Sequence, residues 1–302
     1  MSNQNSHKQA TTIEEQIEEL TLRGLNFNNI DYSAVKLYFE NIGYYSLGFY
    51  IFPFEENYPN RKNRNHIIKE KSEFIDVIAL YRANYDLRIV LQKYLALLEN
   101  SFRTELVYRV SNKYKNNPWW FADFSIAKNS RIKKIYNNIR DNNHIIVDHH
   151  RKYTNDIYAP AWKTLECFTF GQILFLYRSL VNEQLKDEIA LRFGVTNHKT
   201  FYQMLNIAKE LRNKCAHGNA VFDFKSSVSV KGDFFKNAKR YKKQSLLYSI
   251  YVISFLLQSV INLETNTMNY SIEFLNEIQQ VFDKEEYSSI KEILKAPSYK
   301  SI

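Results

Sequence analysis

Residues 73–114 read EFIDVIALYRANYDLRIVLQKYLALLENSFRTELVYRVSNKY. Apolar residues return every three or four positions along this stretch, which is the spacing of one buried helix face. The clearest stripe consists of Leu87, Leu91, Leu95, Leu98, Phe102 and Leu106. Glu99 and Arg103 stand four residues apart, where opposite charges pair on a helix surface. The stretch therefore predicts one very long helix, from about Glu73 to Tyr114.

The remaining sequence is also typical of helices. Only 7 Gly and 5 Pro occur in 302 residues, and apolar residues keep recurring at helical spacing. Pro118 interrupts the pattern after the long helix, and further helices are expected near 163–181, 183–193 and 198–217. We therefore expect an all-α fold, a helical bundle with an N-terminal helical extension.

The chain is expected to form one folded domain behind a short tail. Residues 1–12 are polar and are predicted to be disordered, whereas 13–302 are predicted to be a single all-helical domain. The 45% hydrophobic content is sufficient for a substantial core. Because the tail has no apolar signal segment and only Cys167 and Cys215 occur, a cytoplasmic location is expected.

Residues 244–263 contain no charged side chain over 20 positions, which is long enough to cross a bilayer. Polar residues nevertheless recur through the segment, namely Ser245, Ser249, Ser254, Gln258, Ser259 and Asn262. This pattern favours a buried helix of the bundle over a membrane span. No membrane partner is therefore expected.

The net charge of +9 and the pI of about 9.2 indicate a polyanionic partner, for which RNA is the main candidate. Residues 128–152 contain seven basic residues and two aspartates, a net charge of +5. Residues 231–243 contain six basic residues and one aspartate, again a net charge of +5. We expect RNA contacts from residues of both tracts, namely Lys128, Arg131, Lys133, Lys134, Arg140, Arg151, Lys152, Lys236, Lys239, Arg240, Lys242 and Lys243. An ordinary solvated basic surface is the alternative.

Residues 201–220 read FYQMLNIAKELRNKCAHGNA, with Phe201, Leu205, Ala208, Leu211 and other apolar residues on one helical face. At about 100° per residue, the next position, 212, places an arginine within the apolar stripe. A buried guanidinium needs a carboxylate, a polar cleft or a bound phosphate opposite it.

The end of this helix is also predicted. Gly218 is a natural residue just beyond a helix end, so the helix should end at His217 and leave its imidazole outside the regular turn. Two interpretations remain open for the pair. Arg212 and His217 form a reactive pair, or the histidine caps terminal carbonyls while Arg212 pairs with Glu99 or Glu166.

A family resemblance favours the reactive pair. The string Leu211-Arg212-Asn213-Lys214-Cys215-Ala216-His217-Gly218-Asn219 resembles the Arg-Asn-x-x-x-His signature of HEPN ribonucleases, in the form carried by Abi-like proteins of the AbiD/AbiF type. It is also similar to the nuclease domains of type VI CRISPR effectors. Other matching stretches are 22–25, 42–47, 85–88, 98–103 and 162–171, in that order. The resemblance covers roughly residues 13–225 and implies a HEPN core at about 73–265.

The resemblance implies abortive infection, a form of phage defence, through metal-independent RNA cleavage. The 2′-OH of the RNA would attack, with His217 as general base or acid, Arg212 on the phosphate and Asn213 orienting the pair. No cofactor is implied, and DNA, which lacks the nucleophile, would be neither partner nor substrate. Some relatives work with a neighbouring small non-coding RNA.

The chain departs from the family pattern in one respect. HEPN sites usually combine two Arg/His sets, whereas this chain has one full signature, since Arg103 and Arg109 have no histidine at the required spacing. Either a homodimer brings two signature helices together, which we prefer, or the protein binds RNA without cutting it. No metal-ligand spacing occurs. His144, His149 and His150 fall in a basic, loop-like stretch, where solvent exposure or RNA contact is expected.

Overall fold

The long helix predicted from residues 73–114 is α4, Phe74–Lys113, in the computed structural model of the chain. All six residues of its apolar stripe are fully buried. The predicted pair within it also forms, because Arg103 donates to Glu99 over 2.9 Å. The structure describes residues 9–230, 235, 238, 240–262, 265–295 and 297.

The protein is all-α apart from one short hairpin. Its α-helices in chain order are α1 Ile13–Leu22, α2 Tyr32–Ile42, α3 Tyr44–Ile51, α4 Phe74–Lys113, α5 Ile132–Arg140, α6 His144–Lys152, α7 Ala161–Thr164, α8 Phe170–Ser179, α9 Glu183–Leu191, α10 His198–Ala216, α11 Leu246–Leu257, α12 Ser271–Asp283 and α13 Lys291–Lys295. Short 3₁₀ segments lie at Phe52–Phe54, Trp120–Ala122, Leu165–Cys167 and Glu285–Ile290. Antiparallel strands β1, Ile261–Asn262, and β2, Thr267–Met268, form the hairpin.

The described residues divide into two compact units, one formed by the residues up to Leu87 with 280–296, and one by Arg88–Gln279. Thr12, at the end of the predicted tail, caps α1 through a capping box with Glu15. Within the first unit, the Phe74 ring stacks on Phe27 with centroids 4.9 Å apart. The first unit is therefore held by aromatic packing around the start of α4.

The second unit is built around Phe102 of α4. The Phe102 ring meets four rings from later in the chain, which belong to Phe170, Tyr177, Phe193 and Phe201. Helix α10 packs against α8, α9 and α11, and its apolar residues from Phe201 to Cys215 are buried. The predicted helices near 183–193 and 198–217 are therefore confirmed as α9 and α10.

The single helix predicted near 163–181 is wrong, because the chain breaks between α7 and α8. At this break, Arg103 donates to the backbone carbonyls of Leu165 and Phe168, to the latter over 2.8 Å. Thr169 then starts α8 with a capping box that includes Gln172. The break is thus set by a distant arginine and a local cap.

The uncharged stretch 244–263 contains the 12-residue helix α11, almost all of whose residues are buried. Ser245 caps it by accepting from the Tyr248 N–H, and Ser249 bonds back to the Ser245 carbonyl. The prediction of a buried bundle helix is confirmed. Among the residues that the structure describes, none of the helices has the length and apolar character needed to span a bilayer.

Candidate active site

Helix α10 ends as its sequence predicts. Gly218 has φ +72°, its N–H donates to the Cys215 carbonyl over 3.2 Å, and the Asn219 N–H donates to Lys214 over 3.1 Å. These two bonds form a Schellman motif, which closes a helix through a residue in the left-handed region. Consequently His217 is the C-cap residue, one position after Ala216, the last residue of α10.

The His217 side chain is exposed at this end. Within the described ranges, its imidazole makes no hydrogen bond, whereas its backbone N–H bonds to the carbonyls of Asn213 and Cys215. The alternative in which this histidine caps terminal carbonyls is therefore not observed. A free imidazole at a surface is accessible to a ligand.

The Arg212 side chain pairs with a carboxylate and remains partly exposed to solvent. Its Nε donates to Glu99 Oε2 over 3.2 Å, and 37% of its side chain is exposed. Its Nη1 lies 3.5 Å from the Oδ1 of the exposed Asn213, at the limit of a hydrogen bond. The pairing with Glu99, one of the two interpretations of the sequence, is thus present. Because the Arg212 side chain is only partly buried, a phosphate can still approach it.

Glu99 joins two arginines. Its carboxylate accepts from the buried Arg103 and from Arg212, while Arg103 also bonds the carbonyls of Leu165 and Phe168. Only 10% of the Glu99 side chain and 8% of Arg103 are exposed, so solvent screens this arrangement weakly. It fixes Arg212 to α4 and to the segment that precedes α8.

Arg88 also lies at this helix end, although no role for it was predicted from the sequence. A Cβ added at Gly218 would lie 3.1 Å from an Nη of Arg88, so the guanidinium lies against the turn. Glycine suits residue 218 both by its positive φ and by this close approach. The stripe spacing of α4 does not reveal this contact. In the sequence, the one indication of a role for Arg88 was the match to the family pattern at residues 85–88.

Thiol and metal chemistry are not indicated here. Burial raises the pKa of the Cys215 thiol to about 12, and the nearby charge of Arg88 offsets only part of that shift. Burial likewise raises the pKa of Cys167. Both thiols therefore stay protonated at neutral pH. In the described part of the chain, no cluster of three or more His, Cys, Asp or Glu residues has a metal-binding arrangement.

The histidine cluster differs from its prediction. All three histidines lie on α6 instead of a loop, and His149 is buried, with Nε2 3.0 Å from the Asp156 carboxylate. His150 Nε2 lies 2.7 Å from the Tyr136 hydroxyl. The expectation of solvent exposure is therefore wrong for His149, because Asp156 and the stacked Tyr153 ring cover its imidazole.

The first basic tract lies at the surface of α5, α6 and the residues before α5. Its predicted RNA-binding residues are all exposed, namely Lys128, Arg131, Lys133, Lys134, Arg140, Arg151 and Lys152. In the second tract, Arg240, Lys242 and Lys243 are exposed, while Lys236 and Lys239 lie outside the described residues. Among described residues, no hydrogen bond or ion pair joins either tract to Arg212 or His217.

Tyr153 follows α6 and is 45% exposed. Its ring stacks on the buried His149, with centroids 4.9 Å apart. The ammonium groups of Lys152 and Lys163 lie 5.5 Å and 6.0 Å from the ring centroid. An exposed aromatic ring with cations close to it can stack an unpaired base beside its phosphates.

The chain matches one protein-family model. A sequence model described as Abi-like protein matches residues 37–223, more than half of the 302 residues. The match spans the whole of α4 and α10, with Arg212, Asn213 and His217. Neither curated proteins nor solved structures gave a match. The family is associated with abortive infection, which indicates an antiviral role. The chain therefore belongs to the Abi-like protein family.

Proposed function

We propose that this protein is an antiviral endoribonuclease that cuts RNA without a metal ion. One observation carries the proposal. The end of α10 presents a partly exposed Arg212 side chain, held by Glu99, and an exposed His217 imidazole that has no hydrogen-bond partner among the described residues. These are the group types that bind a phosphate and transfer a proton. The Arg-Asn-x-x-x-His signature supports the same reading.

The proposed reaction uses the RNA's own nucleophile. The 2′-oxygen forms a bond to phosphorus while the bond from phosphorus to the 5′-oxygen breaks. A base removes the proton of the 2′-OH and an acid gives a proton to the 5′-oxygen, and His217 performs one of these transfers. Arg212 offsets the charge that develops on the phosphate, and Asn213 orients the phosphate or Arg212. The products carry 2′,3′-cyclic phosphate and 5′-OH ends.

One chain supplies one such set, so we propose a homodimer in which two α10 ends face a shared phosphate. A two-fold axis would bring identical helix ends together and add a second His217 as the other proton-transfer group. The mass of the protein in solution, against the 36.0 kDa of one chain, tests this pairing.

Cleavage is expected to persist when every free metal ion is removed. RNA incubated with the purified protein in excess chelator should be cut at an undiminished rate, because no step uses a metal ion. Mass spectrometry of the fragments should find 2′,3′-cyclic phosphate and 5′-OH ends. Fragments with 5′-phosphate ends, or activity that returns only with added metal, would contradict the mechanism.

RNA affinity should depend on the exposed face of α5. Replacing Lys133, Lys134 and Arg140 by Gln removes three solvent-facing charges and should lower the salt dependence of single-stranded RNA binding, with the log–log slope falling by about 2. Fluorescence anisotropy over a salt series measures this slope.

The control variant loses three positive charges outside both basic tracts. Three exposed lysines outside the two tracts are replaced by Gln, namely Lys62, Lys71 and Lys115. This control should keep the wild-type slope. Equal slopes for both triple variants would show that α5 does not contact the RNA backbone.

A second candidate function is RNA binding without cleavage, within a ribonucleoprotein that contains a small non-coding RNA. The contact between Arg212 and Glu99 and the single signature per chain favour it. Under this function, the antiviral effect would survive replacement of His217. Sequencing the RNA that co-purifies with the protein would show whether one defined species or a mixture of fragments is bound.

A further inference from the structure

Apart from the C-terminal end of α10, the second unit contains an open pocket between α8, the start of α9 and the residues before α5. Its volume is about 490 Å³, within the range of small-ligand sites. The lining includes Lys128, Phe175, Arg178, Leu180, Glu183 and Lys186. None of these side chains belongs to the proposed cleavage site.

The backbone around the pocket is fixed by strand-like pairing. The Lys128 N–H donates to the Ser179 carbonyl, and the Val181 N–H donates to the Ile126 carbonyl, both over 2.9 Å. Ala127 and Leu180 form a β-bridge at the same place. The walls that carry Lys128 and Arg178 are therefore held together, and the site does not require folding on binding.

Two cations that line the pocket, Lys128 and Arg178, have no carboxylate partner among the described residues, and Arg131 contacts a lining ring. Arg178 lies over the Tyr202 ring and Arg131 over the Phe175 ring, each 5.7 Å from the centroid. Stacking holds a guanidinium in place while its N–H donors remain available. Across the described residues, Lys128, Arg131 and Arg178 form no ion pair with a carboxylate.

Lys186 does not add to this positive charge. Its Nζ lies 2.7 Å from Glu183, so that pair cancels. Lys128 and Arg178 remain as lining cations, Arg131 lies over the lining Phe175, and the side chains of Phe175 and Leu180 supply apolar surface. The pocket therefore combines phosphate-binding groups with a surface for a ribose or base.

We propose that this pocket binds the phosphate monoester of a nucleotide. A monoester is close to a dianion at neutral pH, so it suits several converging cations, and guanidinium groups bind it in bidentate fashion. The nucleotide would be either free in solution or the 5′ end of an RNA. The RNA source rests on the proposed function, whereas the free nucleotide is independent of it.

Two matched pairs of probes test the proposal by fluorescence or calorimetric titration. Adenosine monophosphate is compared with adenosine, and a 5′-phosphorylated eight-nucleotide RNA with its 5′-OH form. Wild type should prefer the phosphorylated member of at least one pair by about tenfold or more. Preference only for the phosphorylated RNA assigns the RNA end as source, and preference for adenosine monophosphate assigns the free nucleotide.

The variant Arg178→Gln should abolish most of this preference, while Arg109→Gln, an arginine of α4 paired with Glu105, should retain it. Thermal melting checks that both variants fold. The proposal is overturned if neither pair is discriminated, or if Arg131→Gln and Arg178→Gln both leave the preference intact. The variant His217→Ala should not alter the preference for the phosphorylated probe. Failure of the proposed cleavage can therefore be distinguished from failure of phosphate binding in this pocket.

Discussion

Replacing His217 by alanine is expected to slow RNA cleavage by about 100- to 10,000-fold while RNA affinity stays close to that of wild type. The imidazole is exposed and makes no hydrogen bond within the described residues, so its loss removes a proton-transfer group without disturbing packing. Single-turnover cleavage and anisotropy titration of the same RNA measure the two effects separately.

Lys199→Ala provides a matched control on α10. Its side chain is exposed at the opposite end of the helix, and this variant should cleave at the wild-type rate. Cleavage by His217→Ala at the control rate would remove the histidine from the mechanism. An equal loss of affinity and rate would instead assign it to RNA binding.

Replacing Glu99 by alanine is expected to lower the free energy of unfolding by about 3–5 kcal/mol. The substitution leaves the buried Arg103 guanidinium without its carboxylate and releases Arg212 from its only ionic contact in the described residues. Breaking one side of a buried pair costs far more than the pair contributes, because the remaining charge stays desolvated. Urea denaturation measures the change.

Glu105→Ala is the matched control, because Glu105 pairs with Arg109 on the same helix and at the same spacing. The Arg109 side chain is 39% exposed, so solvent screens this pair and its loss should cost about 1 kcal/mol or less. If both variants lost the same small amount, Glu99 would not be the structural link between α4 and α10.

The long helix was predictable because its information is local. An apolar residue at every third or fourth position from Leu87 to Leu106 requires one buried face, and each of these residues is buried. The break between α7 and α8 was not predictable in the same way. It depends on Arg103, about 60 positions earlier, bonding to carbonyls of Leu165 and Phe168.

In the candidate site, too, the features set by nearby sequence were predicted and the others were not. Gly218 predicted the end of α10 from local backbone preference, and the buried face of the helix identified Arg212 as a charge in need of a partner. Arg88 beside Gly218 depends on a contact between distant elements, and the burial of His149 depends on how the chain after α6 folds back over its imidazole. A single sequence carries no periodic signal for such contacts, so these features escaped prediction.

The most direct test of RNA cleavage by Arg212 and His217 uses an RNA in which one deoxyribose stands immediately 5′ of a mapped cut. If the 2′-oxygen is the nucleophile, wild-type protein should fail to cut that linkage while still cutting other mapped sites in the same molecule. Cutting of the modified linkage at an unchanged rate would contradict the proposed chemistry.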